Sequence, residues 1–137
     1  MSEKRAATTG GTSKQEAENL QIRQKIQDMV VYALPLIERW SVPHQKLLGD
    51  DIAHCMNEMV ELAAALQFEQ NKKTPCKNLD MKNKALQDFI TLAYALKYLK
   101  GSSSYDEWTR RSIEIGAMIG GYKKYIYEDT PAAKGKR

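Results

Sequence analysis

The 137-residue chain is poor in the residues that strands, tight turns and membrane spans require. Glycine (8) and proline (4) are few and cluster at a few places. That excludes a fold of many short elements joined by tight turns. Val, Ile, Thr and Phe are scarce beside Ala, Leu, Met, Lys, Glu and Gln, a mixture that favours helix over strand. The longest apolar run, Met29 to Ile37, contains Pro35 and is less than half the ~20 residues of a membrane span. No apolar stretch follows Met1–Arg5, so no secretory signal is expected. The two cysteines, Cys55 and Cys76, stand in no metal or redox spacing and read as reduced thiols of a cytoplasmic protein.

What is present is one domain's worth of amphipathic helix. Ile22, Ile26, Met29, Ala33, Ile37 and Trp40 recur at spacings of three or four and predict a helix over 13–40. Ser13 and Glu16 form an expected capping box, and Pro35 an expected kink rather than an end. Ser41 and Pro43 suit the start of a second helix reaching Gln67, with Leu48, Ile52, Cys55, Met59, Leu62 and Leu66 inward. Residues 71–78, with Thr74-Pro75, read as a basic loop. A third helix over 79–100 turns Leu86, Phe89, Ala93 and Leu96 inward, with Lys97 and Lys100 in its last turn and Gly101 after it. A Ser104–Glu107 capping box predicts the fourth, which reaches Tyr127 with Trp108, Ile115, Ile119, Tyr122 and Ile126 on one side. Elements of similar length on short loops imply an all-α, antiparallel four-helix bundle over 14–128. A disordered arm over 1–13 and a basic tail over 129–137 are expected to flank it.

The net charge of +4 is unevenly spread. Residues 20–71 carry four basic and seven acidic side chains; residues 72–137 carry fourteen and seven. A basic second half suits phosphate, an acidic protein or a plain solvated surface. Glycine inside a helix costs about 1 kcal/mol against alanine. The run Ser112, Gly116, Gly120, with Ala117 and Gly121 beside it, therefore implies close approach of another helix, in the same chain or in a neighbouring subunit.

Here the chain resembles a known family. Glu114-Ile115-Gly116 followed by Met118-Ile119-Gly120-Gly121-Tyr122 is similar to the last-helix signature E-[IV]-G-R-[MI]-L-G-[GS]-W of the accessory variability determinant proteins of diversity-generating retroelements. Their wider group includes the four-helix proteins of ribosomal-RNA intervening sequences. Leu48-Gly49 with Ile52 resembles the start of the family's second helix, and Lys97 before Tyr98-Leu99-Lys100-Gly101 the end of its third. Among the departures from the signature, Ala117 stands where the family has Arg, and Tyr122 where it has Trp.

The resemblance implies a homopentameric barrel of bundles that binds the element's reverse transcriptase and its template RNA and cDNA, without catalysis or cofactor, in mutagenic retrohoming. Candidate phosphate contacts are Lys97, Lys100, Arg110, Arg111, Lys123 and Lys124, with Lys72, Lys73 and Lys77 as a looser patch. Gly116, Gly120, Gly121 and Tyr122 are candidate interface residues. Rival readings are a scaffold of the intervening-sequence group and a ribonuclease of the HEPN type, whose R-x4-H spacing Arg39 and His44 match. The ribonuclease needs both side chains on one helix, and Ser41 and Pro43 place a turn between them. His54-Cys55 with Cys76 lacks a fourth ligand at suitable spacing for a metal.

Overall fold

The computed structural model describes residues 10–128. Four long helices account for nearly all of them: α1 (Gly10–Glu38), α2 (Asp50–Phe68), α3 (Lys73–Ala95) and α4 (Gly101–Glu128). A single turn, Val42–His44, and a π-helical segment, Gln45–Gly49, lead into α2. Each helix packs on its neighbours in sequence, and α4 closes the square against α1. The side-chain pairings give the direction. Along α1 and α4, Lys14 meets Tyr125, Lys25 meets Glu114 and Tyr32 meets Trp108, so one helix ascends as the other descends. The same antiparallel register joins α3 to α4 through Asp80–Lys123, Asn83–Ser112 and Tyr94–Tyr105.

The core is the helical stripe of the sequence made solid. Ile22, Ile26, Met29, Ala33 and Ile37 of α1 face Ile52, Cys55, Met59 and Leu66 of α2, Leu86 and Ala93 of α3, and Trp108, Ile115, Ile119, Tyr122 and Ile126 of α4, all buried. Each large apolar side chain so placed contributes roughly 1.5–3 kcal/mol of transfer free energy. Pro35 lies inside α1, which continues through it to Glu38. α1 begins at Gly10, earlier than expected. The surroundings of Ser13 and the rest of the expected arm and tail lie outside the described residues.

Three further boundaries differ from the sequence reading. The expected loop over 71–78 is helical from Lys73 onward. The Asn71 side chain accepts from the Lys73 N–H at 3.2 Å and donates to Thr74 Oγ1 at 3.2 Å, forming a cap before the helix. Pro75 then falls in the first turn, where its missing N–H has no helical partner to lose. The third helix stops at Ala95, not Lys100. Tyr98 N–H donates to Ala93 O at 2.8 Å and Lys97 N–H to Tyr94 O at 3.0 Å, the two bonds of a Schellman stop. Lys97 takes the left-handed position normally given to glycine, at φ 67°. Leu96 consequently points outward, 53% exposed. Third, α4 starts at Gly101, so Ser104 sits inside the helix and does not cap it.

The turn after α1 is secured by a residue with no helical signal of its own. Gln45 Nε2 donates to the carbonyls of Ile37, Glu38 and Trp40 at 3.0–3.2 Å, satisfying the free acceptors at the end of α1. Ser41 caps the next turn by accepting from His44 N–H at 3.4 Å. Gly49 lets this corner close: a Cβ there would stand 2.8 Å from Ile37 Cγ2 and 3.4 Å from the Trp40 ring.

Candidate functional site

The six expected phosphate contacts fall at three places along the bundle. Lys97 and Lys100 belong to the α3–α4 connection at one end. Lys123 and Lys124 lie near the other end of α4, where the looser patch of Lys72, Lys73 and Lys77 opens α3. At 1.5 Å rise per residue, Lys100 and Lys124 are about 35 Å apart along the helix. The candidates therefore form two basic ends and not one continuous face.

Arg110 and Arg111 sit between the ends and are already engaged. Glu107 accepts from both, at 2.7 Å in each case, and Arg110 also reaches Glu114 at 3.0 Å. Arg111 lies over the Tyr32 ring at 4.3 Å. The Arg110 hydrogen bond, with Arg111 beside it, holds the Glu107 carboxyl below the usual carboxylate range. A phosphate would have to displace these carboxylates. Lys123 shares Asp80, at 3.5 Å, with Lys84 at 3.0 Å. Lys97, Lys100, Lys77 and Lys124 are exposed, with no carboxylate partner among the described residues. These four are the cations best able to exchange water for phosphate.

The glycine stripe separates into two parts. Gly116 docks within the chain: a Cβ there would stand 3.0 Å from Asn83 Nδ2 and 3.6 Å from Gln87 Nε2. Those two amides cross from α3 to donate to the Ser112 carbonyl at 3.0 and 3.4 Å. A Cβ at Gly120 or Gly121 would meet nothing within 4 Å, and both residues lie exposed. Tyr122, on the apolar stripe and a candidate interface residue in the sequence, lies in the core of the protomer. It is wholly buried, and burial pushes its hydroxyl up in pKa. Beside the open glycines, Gln21, Gln24 and Lys25 of α1 face Ala117 and Met118 of α4 across a shallow groove.

The end carrying Lys100 holds a feature the sequence did not announce. Arg39, Trp40, Tyr98, Lys100, Ser104 and Trp108 line a pocket of about 120 Å³. Tyr98 meets Trp40 edge-on at 5.4 Å and stacks on His44 at 3.9 Å. Arg39 and His44 thus stand on either side of a capped turn, as the sequence spacing implied, and not on one helix. Among the described residues no group of His, Cys, Asp and Glu could hold a metal, and no helix is long and apolar enough to cross a membrane. Cys55 and Cys76 are buried in different helices, Cys55 donating to the Lys82 carbonyl at 3.3 Å.

Compared with known proteins, residues 20–126 match a sequence model of the family described as bAvd-like. No curated protein and no solved structure matches the chain. The matched span runs from the first buried turn of α1 to the last of α4, so it covers the entire core.

Proposed function

The chain belongs to the bAvd-like family of accessory variability determinants, and from that premise we propose that it is a non-catalytic accessory protein of a diversity-generating retroelement. In this reading it binds the element's reverse transcriptase together with template RNA and cDNA, and supports mutagenic copying. The family match over the whole bundle carries the proposal. The unpaired cations at both ends are consistent with it, because phosphate binding draws on lysines that no carboxylate occupies.

A homopentamer is part of the same proposal. The exposed Gly120 and Gly121, beside the groove between α1 and α4, offer a notch where a neighbouring helix can approach closely. Five copies would multiply the modest +4 charge about fivefold and raise the local field at each basic end.

Two measurements test this reading. Binding of template-like RNA, titrated with salt, should weaken steeply as salt rises. Light scattering should give a mass of five chains. RNA affinity without salt dependence would instead favour a scaffold that docks acidic protein, and a monomer at micromolar concentration would remove the barrel.

A further inference from the structure

The pocket beside Lys100 is built to accept an anion. Of the residues lining it none is acidic, and its two cations, Arg39 and Lys100, have no carboxylate partner among the described residues. Ser104 adds a hydroxyl from the first turn of α4, whose N-terminal end carries free N–H groups and a positive dipole.

A second, independent observation lies in the wall. Trp108 is wholly buried, and its indole Nε1–H has no acceptor among the described residues. A buried donor left unpaired costs roughly 1–3 kcal/mol, a cost recovered by an acceptor that reaches it through the pocket wall. The volume of about 120 Å³ is well under the ~300 Å³ at which pockets for drug-sized ligands begin. It admits one small group and not a whole nucleotide. Trp40, Tyr98 and the stacked His44 extend the site outward as aromatic surface, which suits an adjoining base.

We propose that this pocket seats one phosphate group of a nucleic-acid strand, with Arg39 and Lys100 as its charge partners and Trp108 Nε1–H as its buried donor. The choice of a nucleic-acid ligand rests on the function proposed above; the pocket itself does not. Phosphate captured here would fix where a strand crosses this end of the bundle, a positioning role that loose surface lysines cannot fill.

The chain's two tryptophans both line the pocket, which makes the test direct. Amide and indole spectra of the ¹⁵N-labelled full chain, with Trp40→Phe assigning the second indole, are recorded against a short 5′-phosphorylated oligouridine at constant ionic strength. The expected result is a saturable downfield movement of the Trp108 indole N–H. Arg39→Gln with Lys100→Gln should weaken it about tenfold or more, at unchanged melting temperature. If the oligonucleotide moves the amides around Lys123 and Lys124 but leaves Trp108 still, the pocket is wrong and the nucleic-acid reading survives. If inorganic phosphate moves Trp108 and the oligonucleotide does not, the pocket takes a free anion and the strand assignment is overturned. Silence from both probes overturns it as well.

Discussion

At the residue scale the most informative position is Lys97. It occupies the left-handed stop of α3, a conformation that costs a non-glycine residue about 1–2 kcal/mol. Lys97→Gly should therefore stabilise the fold by about 1 kcal/mol in urea unfolding, while lowering RNA affinity if the lysine meets phosphate. A change with opposite signs in the two assays separates backbone strain from ligand contact. The strain could not be read in the sequence. Gly101 looks like the natural helix stop, and only the tucked Tyr98 and buried Leu99 show that the chain turns four residues earlier. Cys76 gives a second residue-scale test. Burial pushes its thiol up to about 11, so in the native state it should resist a thiolate-directed reagent at mildly alkaline pH. Labelling at the rate of the unfolded chain would show that the thiol is not enclosed.

Between elements, glycines that look alike in sequence do different things. Gly49→Ala should destabilise by about 1–3 kcal/mol, because its Cβ meets Ile37 where α1 and the lead-in to α2 cross. Gly120→Ala should do the reverse to the protomer, adding about 1 kcal/mol of helix propensity in open space. If Gly120 notches a subunit contact, the same change should lower the assembled mass in light scattering, and an undiminished assembly would clear Gly120 of that role. The sequence predicted the glycine spacing but not this division, since a period of four says which side of α4 is small and not what stands opposite. The core stripes were legible for a simpler reason: burial on one face of a 3.6-residue helix leaves the same mark wherever the partner helix lies. Helix ends were less legible. Thr74-Pro75 opens α3 and Ser104 lies inside α4, because proline and serine signal a boundary without saying on which side of it the helix runs.

For the whole molecule the governing fact is where charge is free and where it is spent. Half-buried carboxylates are paired to cations: Glu58 to Lys82 joins α2 to α3, and Glu107 to Arg110 and Arg111 braces α4 internally. Hydrogen bonding from Lys82 and from Arg110, respectively, lowers both carboxyls below their ordinary value of 4.5. Their modest stabilisation is thus fully present above that value and fades as pH falls through it toward the native one. Arg110→Gln with Arg111→Gln should accordingly flatten the acid side of the stability profile and change RNA affinity little. The free cations obey a different rule. The two ends of the bundle are about 35 Å apart, several times the ~10 Å Debye length at 0.1 M salt. Lys97→Gln with Lys100→Gln, and separately Lys77→Gln with Lys124→Gln, should each reduce the slope of log affinity against log salt by roughly 1.4 for a single strand if both lysines meet phosphate. The reductions should add when the pairs are combined, since charges so far apart do not couple. A slope reduction confined to one pair would assign the strand to that end alone, and no change from either would detach RNA binding from the lysines that the fold leaves unpaired.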